Sequence, residues 1–313
     1  MKRFIFIVIL LSLSVYALSA GGKKDGTNNN GKPQVIAVNF PAYDFTRQIA
    51  GDKVNLTMLL PPGAESHSFE PTPRDIIKIQ NCAVFIYTGG ESDAWVERIL
   101  ESMDTSKKKI ISMMDAVDVV EEEIVEGMEA EEEEEEGIAY DEHVWTSPKN
   151  AISIVRSITD VLCEVDAANA ALFRQNAQAY IAELEKLDAE FQAIVNNAKR
   201  KTIVFGDRFP FRYFADAYGL KYYAAFPGCS TETEPSAATV AFLINKIRAE
   251  RIPVVFHIEL SNEKMADTIA AETGARKLLL HAGHNISRRD FNRGLTFLET
   301  QKANVPRLKE ALQ

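Results

Sequence analysis

Apolar and polar positions alternate along this chain on two different periods. Short runs rich in β-branched and aromatic residues occur at residues 34–39, 54–60, 83–87 and 110–112. Between them, at 43–50, 73–80 and 94–102, the pattern is helical in character. The first pattern is that of strands and the second that of helices. Pro73 opens the second helical stretch, where a missing N–H costs nothing, and the strand at 83–87 runs into Gly89-Gly90. Beyond residue 149 the order changes. A helical stretch at 149–165 is followed by another from 167 to 198, whose apolar positions (Leu172, Ala179, Tyr180, Ile181, Leu184, Leu187, Phe191, Ile194, Val195) recur mostly at three and four residues. About 30 residues at 1.5 Å each make roughly 45 Å, longer than one small domain. Strand patterns then resume at 202–205, 220–225, 254–258 and 277–280, with helices at 239–248 and 264–273.

This order predicts an α/β fold of two lobes, each a mostly parallel sheet flanked by helices, joined by one long rigid backbone helix. The expected boundaries are 34–165 for the first lobe, 166–199 for the linking helix and 200–313 for the second lobe. Binding residues then belong at the carboxyl ends of the strands, where His67 and Gly89-Gly90 lie.

The N-terminal text changes where the protein is expected to work. Lys2 and Arg3 precede an apolar run over residues 4–18, and Ser19, Ala20, Gly21 and Gly22 follow. These are the three parts of a secretory signal over residues 1–21. The run is shorter than the ~20 residues that span a bilayer. Residues 22–33, polar and rich in Gly and Asn, read as a flexible tether. The mature protein is expected to be exported, to the periplasm or the outer face of the cytoplasmic membrane. The region resembles a bacterial lipoprotein signal, but Gly21 stands where the lipid-bearing cysteine belongs, which argues against a lipid anchor.

The chain has 313 residues and 46% hydrophobic content, enough for about two domains. Its net charge of −10 argues against nucleic acid and anionic membrane surfaces as partners. Much of that charge lies in residues 121–137, including an unbroken glutamate run at 131–136, expected as a disordered acidic surface loop. Cys82, Cys163 and Cys229 have no zinc-knuckle spacing and read as small buried apolar residues.

Candidate chemistry rests on five histidines: His67, His143, His257, His281 and His284. His67 sits in Pro61-Pro62-Gly63-Ala64-Glu65-Ser66-His67-Ser68-Phe69-Glu70-Pro71-Thr72, a loop stiffened by proline directly after a strand. His143 lies between the acidic segment and a helix start, in Asp141-Glu142-His143-Val144-Trp145-Thr146-Ser147-Pro148. Imidazole is the commonest protein metal ligand, so this distribution points to a metal site assembled from distant parts of the chain.

These two motifs, the long helix, Arg212-Tyr213-Phe214-Ala215-Asp216-Ala217-Tyr218-Gly219-Leu220 and Thr231-Glu232-Thr233-Glu234-Pro235-Ser236 occur in that order. Together they resemble the zinc/manganese-binding receptors of bacterial metal ABC importers, the cluster A-I solute-binding proteins of the zinc-receptor type. The resemblance runs from Val35 to Leu312. It implies two α/β lobes joined by one rigid helix, with the metal buried between them. By position, His67 and His143 match the first two ligands of that family. The third family position is a histidine, and here Asp207 or Arg208 stands there. A guanidinium cannot ligate zinc, so Asp207 is the better candidate, the competing reading being that it pairs with Arg208 or Arg212. The fourth is a carboxylate near the C-terminus, where this chain has His281, with His284 as the alternate. Glu259 matches a glutamate near the pocket floor and is expected to hydrogen-bond a ligating histidine from outside. His257, on the same strand face, reads as a core histidine.

Three imidazoles and a carboxylate favour Zn²⁺, with Mn²⁺ as the alternative, since Mn²⁺ prefers more oxygen ligands. The resemblance implies a monomer that captures Zn²⁺ and delivers it to a membrane ABC permease. Two other classes stand beside it. A zinc hydrolase is disfavoured because the chain lacks His-Glu-x-x-His and Gly-x-Ser-x-Gly. A metal-bearing surface adhesin is the other.

Overall fold

The computed structural model describes residues 31–128, 139–230 and 235–313. The expected signal segment, most of the tether and the glutamate run at 131–136 lie outside the described residues. Among the described residues no helix is long and apolar enough to cross a membrane.

The first lobe opens with β1 (Gln34–Ala37), α1 (Phe40–Ala50), β2 (Asn55–Met58), α2 (Pro73–Asn81), β3 (Val84–Tyr87), α3 (Ala94–Glu101) and β4 (Lys109–Ser112). All strand pairs are parallel, in the order β2-β1-β3-β4. Side chains alternate across a pleated strand, and the sequence supplies apolar residues on both faces. Val35 and Ala37 of β1 with Val84 and Ile86 of β3 enter one core, and Ile36 with Phe85 enter the other. The first core is covered by α1 and by α4 (Pro148–Val165), the second by α2 and α3. Helix α1 begins three residues earlier than its apolar pattern suggests, because the Asn39 side chain accepts the Ala42 N–H and Pro41 fits the first turn.

Helix α5 (Ala170–Asn196) is the long connecting helix. Its buried face divides between two cores. Phe173, Ala177, Tyr180 and Leu184 pack in the first lobe, while Leu187, Phe191 and Val195 pack in the second. At 1.5 Å per residue it is about 40 Å long, enough to serve as a wall of both lobes.

The second lobe contains β5 (Thr202–Val204), β6 (Arg208–Phe209), α6 (Arg212–Tyr218), β7 (Lys221–Tyr223), β8 (Phe226–Pro227), α7 (Ala237–Glu250), β9 (Val254–His257), α8 (Lys264–Thr273) and β10 (Arg276–Leu279). Strands β7 and β5 pair in parallel, as do β9 and β10. A parallel bridge between Phe205 and Phe256 joins the two pairs, giving the order β7-β5-β9-β10. Alternation again splits the side chains: Ile203, Phe205 and Phe256 face α5, whereas Val204 and Val255 face α7 and α8. The short β6 and β8 pair separately, next to the site.

Two features depart from the sequence pattern. The chain ends in α9 (Arg288–Asn292) and α10 (Phe297–Leu312), and α10 crosses back between the lobes. Phe297 and Ile286 lie in the first-lobe core, while Leu308, Ala311 and Leu312 lie in the second. The expected second lobe, 200–313, therefore returns part of its chain to the first, and the lobes share two crossing helices. The acidic segment also differs from a free loop over the part described. Glu122 accepts the Cys229 N–H at 3.0 Å, Glu123 pairs with Arg212 and Tyr222, and Val125 and Met128 pack on the second core. Residues 121–128 form a strap because Glu122, Glu123 and Glu126 find donors on the second lobe.

Candidate metal centre

Every group near the site leaves the carboxyl end of a parallel strand or the turn before a helix. The loop after β2 carries His67, the turn after β3 carries Ser92, and the turn before α4 carries His143. From the second lobe come Asp207 and Arg208 after β5, Glu259 after β9, and residues 281–285 after β10. The carboxyl ends of the two sheets thus face a common cleft.

His67, His143 and His284 are brought together. One ring nitrogen from each lies within 4.8 Å of the others, the group of potential metal ligands found among the described residues. Their ring centroids are 5.6, 5.2 and 4.3 Å apart for the His67–His143, His67–His284 and His143–His284 pairs. His143 is fully buried. Its backbone N–H donates to Asp141 Oδ1 at 2.7 Å, and its Nδ1 lies 2.9 Å from the same oxygen. With the Nδ1 proton held there, Nε2 presents its lone pair to the cluster, and Nε2 is a buried atom with no hydrogen-bond partner among the described residues. His67 is set in the same way by Ser92 Oγ, 2.9 Å from Nδ1. An orphaned, buried imidazole nitrogen facing two other imidazoles is costly without an ion to bind it.

His281 and Asp207 do not join this group. The His281 main chain is clamped by α10: Asn304 accepts its N–H at 2.8 Å, and the amides of Gln301 and Asn304 donate to its carbonyl at 2.9 Å. Its Nδ1 is occupied by the Gly283 N–H at 3.0 Å. The turn at Gly283, φ +83°, then brings His284 to the cluster, while the His281 ring stays outside it. Asp207 spends its carboxylate on the backbone N–H groups of Arg208 (2.9 Å) and Ile258 (3.2 Å) and lies outside the cluster. Glu259 binds main chain, and its Oε2 also lies 3.4 Å from Nδ1 of His281. It accepts the N–H groups of Ala282 (2.7 Å) and His284 (2.9 Å) and so shapes the loop that presents His284. His257 is buried, its Nδ1 3.1 Å from the Ile258 carbonyl, as a core histidine should be. Cys82 and Cys163 are free and buried, and Cys229 is free and half-buried.

Sequence reasoning missed the groups that hold the lobes together around the cluster. Trp145 Nε1 donates to the Ala282 carbonyl at 3.0 Å, with its ring in T-shaped contact with those of His143 and His284. Asn285 donates to the carbonyls of Pro61 and Ala64 at 2.9 and 3.0 Å, tying the His284 loop to the His67 loop. Tyr213 donates to the Asp141 carbonyl at 2.7 Å. Trp145 and Tyr213 were visible inside the quoted motifs, but their partners lie more than 70 residues away.

The electrostatics separate the three rings. Burial, then the neighbouring His143 and Arg208, push His67 down to about 3. His284 is held well below its ordinary value by burial and by the other rings. For His143 burial acts downward, but Asp141, with Glu142 and Glu122, outweighs it and raises the ring. Two of the three imidazoles are thereby kept neutral, as metal ligation requires. The two cavities flanking the cluster measure about 20 Å³ each. That is room for an ion or one water, far below the ≈ 300 Å³ or more of pockets that take organic ligands.

Two α/β lobes closing on a three-imidazole cluster, with His143 fully buried and His67 and His284 half-buried, define a two-lobed receptor for a metal ion. The chain belongs to the family of the periplasmic component A of the zinc-uptake complex (ZnuA), whose model matches residues 35–311. It is 31% identical over 98% of its length to the high-affinity zinc uptake system protein ZnuA of Bacillus subtilis, covering 97% of that protein. It is 31% identical to the zinc-binding lipoprotein AdcA of Streptococcus pneumoniae over 97% of this chain, but spans only 60% of AdcA. Among solved structures, the Zn(II)-bound ZnuA-like domain of that AdcA superposes with a TM-score of 0.76 at 30% identity, over 90% of this chain and 99% of that domain.

Proposed function

We propose that this chain is an extracytoplasmic receptor that captures one Zn²⁺ ion between its lobes, on His67, His143 and His284, and passes it to a membrane ABC permease. The observation that carries this reading is the orphaned Nε2 of His143 converging with two further imidazoles. An all-nitrogen set suits Zn²⁺ better than Mn²⁺, which favours oxygen donors. Three protein ligands also occur in hydrolytic zinc sites. Cavities of about 20 Å³ leave no place for an organic substrate beside the ion, which supports a receptor over an enzyme. The names of the relatives, a zinc uptake protein and a zinc-binding lipoprotein, agree with this cargo.

The test is metal content with competitive titration of the mature protein by Zn²⁺ and Mn²⁺. One tightly held Zn²⁺ per chain, lost in His143→Ala and His284→Ala but kept in His281→Ala and displaced poorly by Mn²⁺, is expected. Preference for Mn²⁺, or zinc binding that survives His143→Ala, contradicts the reading.

A further inference from the structure

The wall of the site facing the second lobe carries a full positive charge. Arg208 donates to the Ser230 carbonyl and to Glu65 Oε2, both at 3.1 Å, and its side chain is only 13% exposed. The other Glu65 oxygen accepts the N–H groups of Ser66 (3.1 Å) and His67 (3.4 Å), so the pair is anchored to the His67 loop. Arg208, Glu65, His67 and His284 line one cavity of about 20 Å³, and the Arg208 charge reaches both imidazoles. A guanidinium has no lone pair and stays protonated, so it cannot become a ligand. Fixed beside a divalent cation with little water between, it repels two charges at once. Glu65 offsets part of this, but its side chain is 47% exposed and screened.

The geometry points to Arg208 as a release-tuning residue: its fixed charge weakens the site's hold on the divalent ion, with Glu65 as partial counterweight, so that bound cargo can be handed on. This rests on the receptor reading above. An ion pair that merely latched the lobes together would lose affinity when either partner was removed. A tuning charge demands effects of opposite sign.

The experiment measures Zn²⁺ affinity against a competing chelator, and Zn²⁺ release by stopped flow, in the full mature protein and in R208K, R208Q, E65Q and R208Q/E65Q. R208Q should bind about tenfold tighter and release more slowly, E65Q about fivefold weaker, and the double variant and R208K close to the parent. R208M, which keeps an apolar stem in place, serves as a second neutral variant should R208Q fold poorly. Affinity moving in the same direction in R208Q and E65Q, or unchanged in R208Q and R208M, overturns the inference while leaving the receptor intact. A parent protein that binds no zinc, or a His143→Ala variant that keeps it, overturns both.

Discussion

His143 reaches the site with one ring nitrogen already committed, and this is what makes the other useful. Asp141 takes both the backbone N–H and Nδ1 of that residue, leaving Nε2 bare. Carboxylates in this position fix ring orientation and raise ligand basicity. Asp141→Asn should therefore lower zinc affinity about 10- to 100-fold in a chelator competition assay. The pH dependence follows from the same asymmetry. His143 is raised above its ordinary value, whereas His67, at about 3, and His284 lie far below theirs. The metal competes with a proton only at His143. As pH falls from above the ordinary imidazole range, where the raised His143 begins to take up its proton, affinity should decline, approaching one proton taken up per ion released; isothermal titration between pH 8 and 5 in buffers of different ionisation enthalpy reads this number directly. Three protons per ion would show that the rings titrate alike. At this scale the sequence was informative about His67 and His143, because proline-stiffened and helix-capping contexts present them. The choice between His281 and His284 was not legible. Three residues apart on a loop, they are distinguished by Asn304 and Gln301, which hold the main chain of the first, by the turn at Gly283 between them, and by Glu259, which accepts the N–H of the second.

Helices and loops set how rigidly those rings are held. The alternating strands and helices could be read from period and from punctuation by Gly and Pro, since tertiary packing agreed with local pattern. Helix α10 could not be read as easily because Pro306 interrupts its interior and its buried face is partly polar, with Gln301 and Asn304 among its buried residues. Its one clear signal was the capping box of Thr296 and Glu299. The buried amides exist to clamp residue 281. Asn304→Ala leaves the His281 N–H without its partner and one carbonyl bond fewer, a cost of about 1–3 kcal/mol. We expect a lower melting temperature and roughly tenfold weaker zinc binding, although Asn304 itself stays outside the cluster. Unchanged affinity in that variant would mean that Glu259 alone positions the loop.

Across the whole molecule, α5 and α10 each contribute to both cores, and the strap at 121–128 adds Glu122 and Glu123 contacts across the cleft. With two shared helices the lobes should not unfold independently. Metal-free protein is expected to show one calorimetric transition with matching calorimetric and van't Hoff enthalpies. Zinc should raise its midpoint by mass action, about 4 kcal/mol of added stability at a thousandfold excess over Kd, and a chelator should reverse the shift. Two separable transitions would assign each lobe its own stability and weaken the account of α10.

The most direct test of the central claim is an anomalous difference map, collected at the zinc edge, from crystals of the mature protein loaded with one equivalent of Zn²⁺. The account predicts a single peak between the lobes, about 2.0–2.1 Å from one ring nitrogen each of His67, His143 and His284, with Nε2 the ligating atom of His143. A peak bound by His281 or Asp207, or none at the three imidazoles, would contradict it.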